Sequence, residues 1–246
     1  MIKKIKYAKF DGDGYMQIEV KDSDILHELT NSDLTFSVIC KPNFVKPIDL
    51  NAPDWREHYE DFALVVRTGL HLGIFYTTVN AFTAKAWDDT NIEYPIHTLQ
   101  PKEDIIHLTF SINYNKKRLK FYANGILVST TTLPKDKNFY KYPETFSDYY
   151  IGCANPNSEE FNCFYSGKIY EVSMWKSELG AKEIKTLSDN KFNMDLLSDI
   201  KEYQSSNNLV GHWNFDIVSV NKVFDESLSD HVGILSDNVE IETEEI

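Results

Sequence analysis

The sequence predicts an all-β protein made of two antiparallel sheets packed face to face, with one or two short helices near its C-terminal end. Three observations predict this. Apolar residues recur at every second position from Tyr15 to Trp175, turn signals separate these runs at short intervals, and helical periodicity is confined to the last third of the chain. A period of two sends alternate side chains to opposite faces, so each run buries one row and exposes the other. About a dozen such runs with so little helix between them need a second sheet to cover the first.

Taken in order, the first run contains Met16, Ile18 and Val20, and the second Leu34, Phe36, Val38 and Cys40. Strands are expected over 62–67, 70–76 and 81–87, followed by the alternation Ile106, Leu108, Phe110, Ile112, Tyr114. Residues 119–123 and 126–131 read as a hairpin, because Asn124-Gly125 can supply the two positive φ values of a type I′ turn. Further strands are expected over 149–152, 168–175 and 209–215. Helix is expected over 179–187, where Leu179, Ile184 and Leu187 lie near one face, and over 195–204 with Leu196, Leu197 and Ile200. Residues 46–61, with Pro47, Pro53, Trp55 and His58, read as an extended inserted loop, and the acidic end 237–246 as a solvated tail. No linker or repeat interrupts the chain, so a single domain over 1–246 is expected.

With 246 residues, 42% of them hydrophobic and 26% charged, the chain can bury a real core. Its 38 acidic and 25 basic side chains give a formal charge of −13, which repels phosphate backbones and anionic lipid and argues against a nucleic-acid partner. No apolar window is long enough to span a membrane, and no apolar stretch precedes Asp11, so neither membrane insertion nor a signal peptide is expected. That pattern fits synthesis in the cytoplasm, with leaderless export or association with a particle equally compatible. Cys40, Cys153 and Cys163 lack metal-ligand spacing and read as packed thiols, although Cys153 and Cys163 are near enough in sequence to close a short loop.

Several stretches resemble the concanavalin A-like lectin/glucanase superfamily, in particular its laminin-G-like and pentraxin-like domains. Residues Phe10-Asp11-Gly12-Asp13-Gly14-Tyr15-Met16-Gln17-Ile18 are similar to the family's opening hairpin, and Leu34-Thr35-Phe36-Ser37-Val38 to the strand after it. Leu119-Lys120-Phe121-Tyr122-Ala123-Asn124-Gly125 is similar to a strand ending in YVNG. Phe164-Tyr165-Ser166-Gly167-Lys168-Ile169-Tyr170-Glu171-Val172-Ser173-Met174-Trp175, with Leu179 and Glu183-Ile184 behind it, carries the most specific likeness. Leu209-Val210-Gly211-His212-Trp213-Asn214-Phe215 and Val223-Phe224-Asp225 resemble the closing strand pair. The resemblance implies a two-sheet jelly-roll β-sandwich and, as the commonest role, recognition of a glycan or glycoconjugate, often with a bound calcium ion. It implies no reaction.

Glycosidases on such sandwiches need two carboxylates about 5 Å apart on one strand, and no E-x-D-x-x-E run occurs; Glu57 and Glu60 lie in the inserted loop. HExxH, G-x-S-x-G and phosphate-loop signatures are also missing from the sequence. Calcium needs clustered hard oxygen ligands, for which Asp11 and Asp13, Asp88 and Asp89, and the segment Asn155 to Glu160 are candidates, each also readable as ordinary turn chemistry. Sugar recognition needs an aromatic plate and planar polar groups. Trp87 with Asp88, Asp89, Asn91 and Tyr94 is the preferred ligand cluster, and Trp55 with His58 the second; Trp175 and Trp213 are read as core. The expected function is therefore a non-catalytic, calcium-assisted, lectin-like domain. A protein-interaction or structural module of a larger assembly is the alternative, and a diverged glycoside hydrolase is a third reading.

Overall fold

In a computed structural model, residues 2–20, 25–29, 31–43, 61–67, 72–97, 104–141, 148–157 and 163–246 are described. The strands are β1 (Lys4–Asp11), β2 (Met16–Ile18), β3 (Leu34–Pro42), β4 (Asp61–Arg67), β5 (Leu72–Thr77), β6 (Phe82–Trp87), β7 (Glu93–His97), β8 (Ile106–Asn113) and β9 (Arg118–Ala123). They continue as β10 (Ile126–Thr132), β11 (Tyr149–Ile151), β12 (Ser166–Trp175), β13 (Leu209–Trp213), β14 (Val218–Ser219), β15 (Lys222–Phe224), β16 (Val232–Leu235) and β17 (Val239–Glu245). Two helices, α1 (Ile25–Leu29) and α2 (Ala181–Asp189), join them.

The strands form two antiparallel sheets. One runs β10-β9-β8-β3-β12-β1-β17, with β13 also paired to β12, and the other runs β14-β15-β16-β2-β11-β4-β5-β6-β7. Their inner faces meet in one core, to which β3 gives Leu34, Phe36, Val38 and Cys40 and β8 gives Ile106, Leu108, Phe110 and Ile112. These are the alternating rows visible in the sequence, and each fully buried apolar side chain contributes about 1.5–3 kcal/mol. Asn124 and Gly125 both take positive φ, 49° and 75°, as the β9–β10 turn requires.

A third layer covers part of the outer face of the β3–β12 sheet. Helix α2 and the segment after it bury Ile184, Leu187, Leu196 and Tyr203 against Trp175, Tyr122 and Leu209. Glu183 ties this layer together: one carboxylate oxygen accepts the Gly180 N–H at 2.8 Å, and the other accepts the Ser205 hydroxyl at 2.6 Å and the Gln204 N–H at 3.1 Å. Trp175 Nε1 donates to the Tyr203 hydroxyl at 2.9 Å, so this tryptophan is buried beneath the cap, whereas Trp213 lies in the inter-sheet core.

Two sequence expectations are revised here. The helix expected over 195–204 does not form, because Asp195 captures the Leu197 N–H and the Ser198 hydroxyl, Asp199 captures Ser206, and Ile200 and Tyr203 exchange backbone bonds. Side chains that bond nearby backbone compete with helix in this way. The acidic terminus is also no solvated tail, because β17 pairs with β1 from Lys4↔Glu245 to Phe10↔Val239. Its glutamates are held by residues of the adjoining strands: Glu242 accepts from Tyr7, and Glu244 accepts from Lys168 and Tyr170. The inserted loop, apart from Asp61, lies outside the described residues.

Candidate functional site

The Trp87 cluster is pulled apart by the alternation of the strands that carry it. Trp87 pairs with Glu93 and Ala86 with Tyr94, so the Trp87 and Tyr94 side chains point to opposite faces of the β6–β7 edge. Tyr94 packs against the inter-sheet core, and its hydroxyl donates to Asp88 Oδ2 at 3.1 Å. Asp88 Oδ1 accepts the Thr90 N–H and hydroxyl, both at 2.8 Å, and the Ile92 N–H at 3.0 Å. Burial would raise this carboxyl's pKa, but the donors from Ile92, Thr90 and Tyr94 outweigh it and bring the value to about 2. Asp88 is thus the organiser of its own turn. Asp89 accepts from the Asn138 side chain at 3.1 Å, and Asn91 is exposed at φ 61°.

Beside Trp87 on the outer face, the Lys85 ammonium sits between Asp61 and Glu93, 3.4 Å from the latter, and over the Phe75 ring. This is a paired, nearly buried charge. Asp11 pairs with Lys9 at 3.2 Å, and Asp13 accepts from Asn238 at 3.0 Å. Asn155 closes an Asx turn onto the Asn157 N–H at 3.2 Å. Among the described residues no three of His, Cys, Asp or Glu come together to hold a metal ion. Asp11, Asp13, Asp88 and Asp89 are each engaged as described. Trp55 and His58 lie outside the described residues.

A different cleft is built where two strands compete for one flank of β12. Residues 166–169 of β12 pair with β1, whereas Val172–Trp175 pair with β13. Strand β1 leaves β12 beyond Ala8 to admit β13, and a register shift between Ile169 and Glu171 falls at this fork. The shift breaks the alternation. Ile169 and Val172 both face the core, so Tyr170 and Glu171 are both turned outward.

The resulting cleft is shallow and open to solvent, with a cavity volume of about 90 Å³. Glu171 and His212 form its floor, Tyr170, Phe192 and Met194 give apolar walls, and Lys3, Lys4, Asn214 and Asp216 stand at the rim. His212 comes from β13, and Phe192 from the turn after α2, where it takes a φ of 71°. The Lys3 backbone is fixed by mutual bonds with Ile246, and its ammonium reaches Asn193 Oδ1 at 3.0 Å, closing one side.

His212 Nε2 lies 3.7 Å from Glu171 Oε2, an ion-pair distance too long for a hydrogen bond, and it has no other hydrogen-bond partner. Burial opposes charge on both groups, but their mutual attraction prevails, raising the His212 pKa and lowering that of Glu171. Behind Glu171, Ser37 Oγ lies 2.6 Å from His107 Nε2, and burial drives the His107 pKa down to about 4. The floor therefore offers a carboxylate acceptor and an unsatisfied imidazole donor beside aromatic and thioether surface. These are the complementary halves of a sugar, its hydroxyls and its C–H face.

A two-sheet jelly roll with a surface cleft at a strand fork is the class of molecule these features define. The chain belongs to the concanavalin A-like lectin/glucanases superfamily, whose laminin-G-type family model matches residues 10–185. No curated protein matches it. Among solved structures it is similar to a candidate carbohydrate-binding protein from Bacteroides ovatus ATCC 8483, with TM-score 0.68 and 14% identity over 98% of this chain and 60% of that one. The chain thus spans about three fifths of that protein's length. It is also similar to a heptameric SAP-like pentraxin from Limulus polyphemus, with TM-score 0.55 and 11% identity over 96% of this chain and 94% of that one. A third likeness is to the CBM40 module of a Ruminococcus gnavus IT-sialidase, with TM-score 0.53 and 13% identity over 76% of this chain and 98% of that one. At such identities the likeness concerns the fold. Among the described residues no helix is long and apolar enough to cross a membrane.

Proposed function

We propose that this protein is a non-catalytic carbohydrate-binding domain that takes a sugar into the cleft at the β1–β13 fork. The observation that carries this reading is the cleft floor, where an unsatisfied His212 donor and the Glu171 acceptor lie beside the Tyr170, Phe192 and Met194 walls. The carbohydrate-binding module and the candidate carbohydrate-binding protein among its structural neighbours support the same role. Glu171 acts as a hydrogen-bond acceptor for a sugar hydroxyl, and its ion pair with His212 keeps it ionised, which suits binding and not proton donation.

Screening immobilised glycans, followed by calorimetry on the hits with calcium supplied and with chelator, tests the reading. Saturable binding that Phe192→Ala and Glu171→Gln weaken by about tenfold or more supports it, since a lost stacking ring or a charged hydrogen bond costs about 1–3 kcal/mol. No binding to any glycan under either condition overturns it. A protein-interaction role has one observation in its favour, the free edge strand β10, which exposes Ile126, Leu127 and Val128. A stable oligomer in sedimentation, lost on Leu127→Lys, would turn the assignment that way.

A further inference from the structure

Behind the floor of the cleft lies a second cavity of about 10 Å³, with Ser37, His107, Trp175 and Lys191 around it. Glu171, Phe192 and Met194 line both spaces, so one carboxylate faces the cleft on one side and this cavity on the other. The cap covers the cavity through Leu187 and Leu196, both buried. A space of about 10–15 Å³ is the least that holds one water molecule, and water settles there only where two to four polar groups are at hand.

Two polar groups at this cavity are short of hydrogen bonds. His107 is 3% exposed; its Nε2 is taken by Ser37 Oγ at 2.6 Å, and its Nδ1 has no partner. Native structures rarely leave a buried polar atom in that condition without a water to serve it. The Glu171 carboxylate has room for about four hydrogen bonds, yet among the described residues it accepts one, from the Ser173 hydroxyl at 3.2 Å, with His212 Nε2 beyond bonding reach at 3.7 Å. The other charged or titratable groups around it are His107 from β8 and Lys191 from the turn after α2, whose ammonium donates to the Ile105 carbonyl at 3.4 Å, and on the cleft side Lys3, Lys4 and Asp216. An under-bonded imidazole and an under-bonded carboxylate thus share a space the size of one water.

We propose that this cavity holds a buried water joining His107 Nδ1 to the Glu171 carboxylate, and that His107 acts through it as a positioning residue for the acceptor of the cleft. The bonding closes in either tautomer of the ring. With the proton on Nδ1 the ring donates to the water oxygen, and with it on Nε2 the ring accepts one water proton; in both cases a water proton is left for Glu171. Glu171 is thereby held from behind, with its remaining lone pairs free for the cleft. The ligand's use of that carboxylate rests on the carbohydrate-binding reading, whereas the water does not, and neither measurement that tests it uses a sugar.

The first test is a high-resolution crystal structure of the intact protein. The expected result is a density peak within about 2.5–3.2 Å of both His107 Nδ1 and a Glu171 oxygen; an empty cavity, or a peak bonded to one of the two groups alone, overturns the proposal. The positioning role is read from the Glu171 carboxyl carbon in NMR pH titrations of His107→Asn and His107→Phe. Asparagine keeps a polar group where Nδ1 stands, whereas phenylalanine keeps a ring and removes every hydrogen bond. Both variants lose the imidazole's charge, so the difference between them reports the water. A donor to the ionised form lowers a carboxyl pKa, so the Glu171 midpoint is expected about one unit higher in His107→Phe than in His107→Asn. Equal midpoints overturn the positioning role. Circular dichroism checks that both variants fold, and the crystal structure decides on the water without them. A glycan screen without hits would remove the ligand and leave the water in place.

Discussion

Replacing Asp88 by alanine separates a residue that builds a loop from one that binds a ligand. Its carboxylate accepts four hydrogen bonds, from the Thr90 N–H and hydroxyl at 2.8 Å, the Ile92 N–H at 3.0 Å and the Tyr94 hydroxyl at 3.1 Å. Each bond to a charged group has a net worth of about 1.5–3 kcal/mol in isolation, but such bonds to one carboxylate do not add. Thr90 and Ile92 are exposed and their donors regain water once the carboxylate is gone. The expected cost is about 2–3 kcal/mol, which for a chain of this size lowers Tm by about 4–10 °C. Because the folded-state pKa is depressed to about 2, the carboxylate's contribution is complete above its ordinary value of 3.8 and fades as pH falls toward 2. Thermal melts of Asp88→Ala and wild type between pH 2 and 7 should therefore converge at the acid end. Glycan affinity at neutral pH should be unchanged. Lost glycan binding at unchanged Tm would refute this assignment and restore the loop as a ligand site.

Other outcomes follow from the same structure. The His212–Glu171 pair sets a pH window: the raised His212 contributes fully below its ordinary 6.5 and loses its part as pH rises through the folded value, while the lowered Glu171 contributes fully above 4.5 and fades below it. Glu171→Gln should thus flatten both limbs of a stability–pH curve, and an unchanged profile would contradict the pairing. Ile184→Ala removes a fully buried anchor of the α2 cap and should cost about 2–4 kcal/mol by denaturant titration, with a loss under 1 kcal/mol arguing that the cap is loosely seated. Gly211→Ala places a Cβ 2.5 Å from the Trp213 ring and should destabilise by about 1–3 kcal/mol. A neutral result would show that the ring has room to shift.

Most of the sandwich was legible in the sequence because strand burial is a local pattern. The rows Leu34–Cys40 and Ile106–Ile112 declared which side chains face inward, and Asn124-Gly125 declared its turn. Helix α2 was legible from Leu179, Ile184 and Leu187, although it starts at Ala181. Residues 195–204 misled because a helical spacing of Leu196, Leu197 and Ile200 says nothing of the caps Asp195 and Asp199 prefer to make. The acidic terminus misled because its pairing partner is β1, at the far end of the chain.

The proposed cleft was less legible, for a physical reason. A tryptophan beside two aspartates looks like a sugar platform in one dimension, yet strand alternation sends Trp87 and Tyr94 to opposite faces. The cleft at the fork joins Lys3, Glu171, Phe192 and His212, which are scattered along the chain and meet only because β1 and β13 share one flank of β12. Two local hints were present. Tyr170-Glu171 interrupts the apolar alternation of β12, and His212 stands in an otherwise apolar strand.

The most direct test of the cleft assignment is a backbone amide chemical-shift map recorded while a glycan identified by the screen is titrated into the intact protein. Shifts centred on Tyr170, Glu171, Phe192, His212 and Asn214 are expected, with the Asp88 turn silent. Shifts centred on Trp87 to Tyr94, with His212 and Glu171 unmoved, would contradict it.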